Sequence, residues 1–302
     1  MRIAIIGQQA FGKAVLEAFL ARGDEVAGIF VASEGTDPLR DAATAKGLPV
    51  FPTRRYGAPE AIETLRGLGV DLAVMAYVLQ FVPQSFCRVP RLGTIQFHPS
   101  LLPRHRGPSS INWPVIMGES RTGLSVFRPV DGLDEGPVIL QKEVSIGADD
   151  TVASLYFDHI FPQGVAALLE AADLVVAGKA IERVQDERLA TYEGWVHDAE
   201  SRINWASPAA LVYNLIRGCN PAPGAWTMAR GKRLHLFDAR CRTTQRFAEV
   251  KGMMPGQVVA SGPASFTVHA QGGSIEVLRC RFADGKKIAG GDAGLQPGEI
   301  LS

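Results

Sequence analysis

The sequence predicts an α/β protein: an N-terminal, Rossmann-like, mostly parallel sheet with flanking helices, then a small C-terminal β-barrel of OB-like type. Three observations carry this reading. Short β-branched runs alternate with segments of helical spacing through the first half of the chain. A long apolar stretch at 151–176 ends the alternation, and from residue 225 short β-rich runs follow one another between glycine turns. Alternation of that kind builds a parallel sheet covered by helices, whereas closely spaced short strands close on themselves or stack as two sheets.

Each element has its own signal. Residues 2–6 (RIAII) form a β-branched run ending at Gly7, and 11–20 (FGKAVLEAFL) place apolar side chains at helical spacing, so the chain opens strand, turn, helix. Residues 25–31 read as a second strand, 59–68 as a helix with proline at its tolerated first position, and 71–75 (DLAVM) as a third strand. A strand at 94–98, a helix at 109–117, strands at 122–129 and 138–146, and the helix at 151–176 complete a first domain expected over 1–180. A polar stretch follows, with a linker expected at 181–204 and the second domain at 205–302. That domain opens with a short amphipathic helix at 208–216 and the irregular "RGCNPAPGAW", then runs through AWTMA, RLHLFDARC, GQVVAS, SFTVHA and SIEVLRC.

Composition narrows the function classes. Hydrophobic residues at 46% and charged residues at 21% let the chain bury enough apolar surface to offset its ordering entropy. Basic and acidic residues balance at 31 each, so no overall field draws the protein to nucleic acid or an anionic membrane. Cys87, Cys219, Cys241 and Cys280 show no metal-type spacing, and MRIAIIG enters a strand pattern directly, which points to a reducing cytoplasm and free thiols. No apolar run approaches the ~20 residues of a membrane-spanning helix. A membrane partner is therefore not expected.

Three stretches are candidates for chemistry. "IGQQAFG" places a glycine turn after the first strand but lacks the G-x-G-x-x-G pattern, and no acidic residue ends the second strand, so NAD is not expected. In the strand at 94–98, Gln96 and His98 are two apart and share a face, pointing together at the carboxyl end where open α/β sheets bind ligands. A hydrogen-bonded packing histidine remains an alternative there. The adjoining loop, PSLLPRHRG, is polar and fixed by prolines; on composition its His105 and Arg106 favour a solvated tip. The third stretch, "VDGLDEGPVILQ" at 130–141, gathers Asp131, Asp134 and Glu135 between two strands. Should this loop return to the sheet edge, an Asp–His pair would form, and a carboxylate beside an imidazole favours the cation that can stabilise an oxyanion. Equally, Asp131-Gly132 is a turn dipeptide that Asp134 caps. No metal-ligand set is visible.

Together, "FHPSLLPRHRG" and "DGLDEGPVILQ" resemble the signature of the folate-dependent formyltransferase family, whose members take a formyl group from 10-formyltetrahydrofolate. The resemblance continues through "TVASLYF" and "RINWASPAALVYNLIRGCNPAPGAW" and covers essentially the whole chain. Its texture is closest to the hydrolase domain of formyltetrahydrofolate dehydrogenase, with methionyl-tRNA formyltransferase beside it. The resemblance implies His98 and Asp134 as the catalytic pair, with Gln96 standing where most relatives carry asparagine. It also implies folate along "MAYVLQFVP", at Ala76, Tyr77, Val78, Leu79, Gln80 and Phe81, with Asp131 beside it, and a substrate loop including Ser100, Arg106 and Gly107. 10-Formyltetrahydrofolate would be a co-substrate, with neither metal nor NAD.

The acceptor is less legible. A grip on tRNA phosphates needs clustered Lys and Arg, whereas "VASEGTDPLRDAATAKG" after the second strand has two acids before its first arginine. The expectation is formyl transfer to a small or carrier-bound, non-tRNA acceptor such as an amine, with hydrolysis close behind and transfer to methionyl-tRNA as a further alternative. A folate-sensing or partner-binding descendant is the non-catalytic reading, and retention of both His98 and Asp134 speaks against it.

Overall fold

Strand β1 (Arg2–Gly7) is buried from Ile3 to Gly7, so its apolar run is covered on both faces. In the computed structural model, which describes residues 1–32, 35–243, 251–283 and 285–302, it is an interior strand, third from one edge, of a seven-stranded sheet. The others are β2 (Glu25–Val31), β3 (Val50–Pro52), β4 (Leu72–Ala76), β5 (Thr94–His98), β6 (Arg121–Phe127) and β7 (Val138–Ser145), in the order β3-β2-β1-β4-β5-β6-β7. The first five are parallel and β6 runs antiparallel to β5. Winding outward from β1 in both directions reverses the strand order between β1 and β4, which opens a crevice at their carboxyl ends. At that crevice a Cβ on Gly7 would stand 2.0 Å from Ala76 O, so only glycine lets the two strand ends approach.

Helix α1 (Gln9–Arg22) buries Phe11, Val15, Leu16 and Phe19. Helix α2 (Pro38–Ala45) and the three-residue β3 are additions to the expected elements, because neither has a readable apolar period. The start signal for α2 was nevertheless present: proline opens it, and Asp37 Oδ1 accepts from Leu39 N at 2.9 Å and Arg40 N at 3.2 Å. Helices α3 (Pro59–Gly67) and α4 (Gln84–Cys87) follow β3 and β4.

Residues 152–176 form one helix, α-helical except for a π-helical turn at Leu155–Ile160. It corrects the expectation about apolar runs, since it is long and apolar enough by length and composition to cross a membrane. Its core-facing positions include Ile160, Gly164, Ala167, Leu168 and Ala171. Phe11, which stacks on Phe97 of β5 at 4.5 Å, also meets Phe161 edge-on at 5.3 Å. The apolar content thus fills the layer over the sheet.

The chain clusters into two compact units that interleave along the sequence. The first comprises 1–108, 123–144 and 157–193; the second comprises 109–122, 145–156 and 194–302. The path thus differs from a linear division with a linker at 181–204, because residues 181–193 pack within the first unit.

In the second unit, helix α5 (Asn112–Ile116) packs beside a later helix, Ala209–Gly218, whose Gly218 O accepts from Asn112 Nδ2 at 2.8 Å. Among the described residues the β-rich runs pair as two antiparallel four-stranded sheets. The reason is local. RLHLFDARC breaks into Lys232–Leu236 and Ala239–Thr243, and SIEVLRC breaks into Gly273–Val277 and Arg279–Phe282, so each run passes from one sheet to the other. At that corner Asp238 O accepts from Leu278 N at 2.8 Å and Arg279 N at 3.2 Å. The core between includes Ile203, Trp205, Leu234, Leu236, Phe266 and Ile275.

Candidate active site

The alternation of β5 delivers the expected pair to one face. Ile95 and Phe97 are buried against the helical layer, and Gln96 and His98 lie on the opposite side, next to Phe127 and Ser125 of β6 in register. Gln96 is half-buried and His98 only 5% exposed. His98 Nε2 lies 2.8 Å from His105 O. A carbonyl can only accept, so Nε2 carries its hydrogen and the ring presents Nδ1 to the other side.

Facing Nδ1 is Asp134. Its Oδ2 lies 3.6 Å from His98 Nδ1 and accepts from Gly107 N at 2.9 Å. Hence the loop between β6 and β7 does return to the sheet edge, and a pair 36 residues apart in sequence meets there with both side chains buried. At 3.6 Å the two atoms are just beyond hydrogen-bond distance, so imidazole and carboxylate face one another at close range without a direct hydrogen bond. Asp134 adopts φ 57°, a left-handed conformation that Asp tolerates better than most residues. Gly107, at φ 103°, leaves no room for a Cβ, which would sit 2.5 Å from Glu193 O.

The segment after β4 forms a lip beside this pair. Ala76 is buried, but Tyr77, Leu79 and Phe81 are 42%, 55% and 66% exposed, and Leu133 on the Asp134 loop is 52% exposed. Val78 packs against the core below them, and the Gln80 Oε1 atom is buried without a hydrogen-bond partner. Exposed apolar side chains in segments that adjoin buried polar groups are the makings of a ligand site. Asp131 serves this lip indirectly: its Oδ1 accepts from Gln84 N at 3.0 Å, and Gln84 Nε2 donates to Pro129 O at 2.5 Å, tying the start of α4 to the acidic loop.

The arginine loop is not a solvated tip, which corrects the expectation for His105 and Arg106. They are 3% and 5% exposed. Ser100, expected in the substrate loop, lies inside that loop. It is fully buried, donates to Arg104 O at 2.7 Å, and its carbonyl accepts from Ser125 Oγ at 2.7 Å, so it shapes the loop from within. Arg106 turns inward to Gln185 and Glu187. The Glu187 carboxylate holds the guanidinium above its ordinary range, and Arg106 in turn lowers Glu187. Sequence reasoning assigned no role to Gln185, Glu187, Thr191 or Glu193. They sit in an aperiodic polar stretch whose only sign was its density of side chains able to hydrogen-bond.

Fold and site together define a doubly wound α/β protein with a buried imidazole–carboxylate pair, equipment for general acid–base chemistry, at the carboxyl edge of its sheet. Among the described residues no group of three or more His, Cys, Asp or Glu could hold a metal ion. The chain belongs to the formyl transferase family: residues 1–171 match the formyl transferase model and 196–294 that of the formyl transferase C-terminal domain. It is 41% identical over 302 aligned residues to human cytosolic 10-formyltetrahydrofolate dehydrogenase, covering 95% of this chain and 33% of that protein. The chain thus spans about a third of the length of the dehydrogenases it matches. A methionyl-tRNA formyltransferase from Geotalea uraniireducens is 31% identical, covering 100% of this chain and 98% of its own. In fold, the chain is similar to HypX from Aquifex aeolicus, solved with tetrahydrofolic acid, with TM-score 0.70, 18% identity, and coverage of 97% of this chain and 46% of that one.

Proposed function

We propose that this chain moves the formyl group of 10-formyltetrahydrofolate directly to a small or carrier-bound, non-tRNA acceptor such as an amine. The observation that carries the proposal is the buried His98–Asp134 pair beside the exposed apolar lip of Tyr77, Leu79 and Phe81. The lip suits a folate. Its apolar side chains offer area to a flat ring, and Gln80 Oε1, a buried acceptor with no partner, suits a ring N–H or amino group.

The residues divide the work. His98, with Nε2 committed to His105 O, turns Nδ1 toward the space shared with Asp134, and as the imidazolium, with a second N–H on Nδ1, it stabilises the oxyanion formed as the acceptor's lone pair adds to the formyl carbon. Gln96, on the same strand face, offers its amide to that oxygen. Asp134 takes the acceptor's proton, and the proton is passed to N10 as its bond to carbon breaks. Tetrahydrofolate and the formylated acceptor leave, and no bond to the protein forms.

The acceptor reading rests on the segment after β2. Asp37, one of its acids, is spent internally, capping α2 and accepting from Gln9 N at 2.7 Å, and the segment's 38–45 stretch is helix rather than a basic loop. Glu34 of that stretch lies outside the described residues. Hydrolysis is the second reading, favoured by the higher identity to the dehydrogenases than to the methionyl-tRNA enzyme. One assay separates them: tetrahydrofolate release from 10-formyltetrahydrofolate is followed with water alone, with small amines, and with initiator methionyl-tRNA. Dependence on an added amine supports transfer, release in water alone supports hydrolysis, and dependence on the tRNA overturns the non-tRNA acceptor.

A further inference from the structure

The polar stretch expected to be a linker runs instead across both loops of the site. At one end Arg183 and Val138, the first residue of β7, exchange backbone hydrogen bonds of 2.8 Å each way. At the other, Thr191 N donates to Pro103 O at 3.1 Å, Arg106 N to Thr191 O at 3.1 Å, and Glu193 N to Arg106 O at 3.3 Å. His105 N donates to Thr191 Oγ1 at 2.8 Å, and Glu193 Oε2 lies 3.1 Å from His105 Nδ1. Residues 183–193 therefore fasten the strand of the acidic loop to the arginine loop whose His105 carbonyl holds His98.

At the middle of this strap stands Gln185, 7% exposed. Its Nε2 donates to Asp134 O and to Gly136 O, both at 2.7 Å. Its Oε1 accepts from Arg106 Nη2 at 2.8 Å and Nε at 3.2 Å. Two donors and two acceptor sites are all that a carboxamide has, and all four are used. The reverse orientation of the amide would aim its NH₂ at a guanidinium, which only donates, so the network fixes the assignment. Glu187 grips the far side of the same guanidinium at 2.7 and 2.9 Å.

We infer that Gln185 is a positioning residue for Asp134. Its NH₂ group holds the carbonyl of a residue in a left-handed backbone conformation, while its carbonyl locks that loop to Arg106 and so to the loop bearing His105 and Gly107. The inference rests on the proposed role of Asp134 and deepens it. A carboxylate that must share a proton across 3.6 Å is sensitive to small displacements, and misplacement of about 1 Å at a reacting centre costs on the order of 100-fold in rate.

Three variants test this: Gln185→Glu, Gln185→Ala and, as control, Asp134→Asn, all assayed by tetrahydrofolate release with thermal melting as the folding check. Gln185→Glu keeps the acceptor for Arg106 but removes both hydrogens aimed at the Asp134 loop. The expected result is that Glu behaves like Ala, with kcat down about 10- to 100-fold and KM for 10-formyltetrahydrofolate within about twofold. Wild-type kcat in Gln185→Glu would mean that the residue only anchors Arg106, and overturns the inference. Turnover surviving in Asp134→Asn instead overturns the proposed role of Asp134, a separate failure. A readout independent of turnover is hydrogen exchange of the peptide 130–137 in Gln185→Glu: faster exchange is expected, and unchanged protection contradicts the positioning role whatever the activity.

Discussion

Replacing Asp134 with asparagine removes a charge while leaving almost every contact that places it. The Gly107 N–H, now 2.9 Å from Oδ2, can be accepted by the amide oxygen of asparagine, and the two hydrogen bonds from Gln185 go to backbone carbonyls that the substitution does not alter. Asparagine is also among the few residues at ease at φ 57°. The loss is therefore confined to proton handling beside His98, which general acid–base contributions put at about 10²- to 10⁴-fold in kcat, or roughly 3–5 kcal/mol of barrier. Folate binding, measured by fluorescence quenching or calorimetry, should change little, and the melting temperature should be nearly unmoved. Alanine makes the contrast. It leaves a buried N–H unsatisfied at about 1–3 kcal/mol and lacks the short polar side chain that eases the left-handed conformation, so Asp134→Ala should lose roughly 1–3 kcal/mol of stability as well as turnover. A kcat for Asp134→Asn within tenfold of wild type would refute the reasoning, because no other carboxylate is placed within 4 Å of His98 Nδ1 among the described contacts.

Other consequences are checked more simply. Gly7→Ala forces a methyl group to 2.0 Å from Ala76 O, and should cost at least about 1–3 kcal/mol in urea unfolding while weakening folate binding at the lip that Ala76 begins; an unchanged midpoint contradicts the close approach. Burial pushes the Cys87 and Cys280 thiols up to about 11 and Cys219 to about 12, so at pH 8 the first two are thiolate to roughly one part in a thousand. An aromatic disulfide reagent should therefore titrate Cys241, the half-buried thiol, in the folded protein and all four cysteines after denaturation; rapid native reaction of Cys219 would count against its burial. His235 is held below the ordinary imidazole range, first by burial, then by Arg281 and Arg233 against the opposing hydrogen bond to Gly224 O. A depressed folded value means that the unfolded chain takes up the proton first, so this stability is present above about pH 6.5 and is lost as pH falls toward the folded value. His235→Gln should flatten the decline in melting temperature on that acid side, and parallel curves would remove His235 from the account.

How much of this was legible depended on the range of the interaction. The Gln96–His98 face could be read because strand period is a two-residue property, and β1 and β4 because their apolar runs are uninterrupted. The Asp134 contact could be framed only conditionally, since it depends on where the β6–β7 loop returns. Arg106 was misjudged for a related reason: composition reveals charge but not partners, and its partners lie 79 and 81 residues away. Gln185 carried no signal at all, because one glutamine in an aperiodic polar stretch looks like solvated chain until its four hydrogen bonds are seen together. The corner at Phe237–Asp238 escaped notice because residues on either side of it share the same β-rich texture.

Backbone strain gives an independent reason to place function at this edge of the sheet. Among the described residues the non-glycine positions with positive φ are Gln9, Tyr77, His105, Asp134, Arg230 and Ala283. The first four all belong to the first unit's sheet edge: Gln9 follows β1, Tyr77 follows β4, His105 supplies the carbonyl for His98, and Asp134 faces its ring. Glycine would relieve each at once, so a side chain there, at on the order of 1–2 kcal/mol apiece, has to contribute something glycine cannot. For Asp134 that is the carboxylate, for Tyr77 the exposed ring of the lip, and for His105 the imidazole that Glu193 holds. The strap at 183–193 is what makes two of these conformations affordable, since it hydrogen-bonds the backbone at both His105 and Asp134. A chain selected for stability alone would have relaxed this edge; one that must keep a carboxylate and an imidazole 3.6 Å apart in a buried site has reason to hold it under strain.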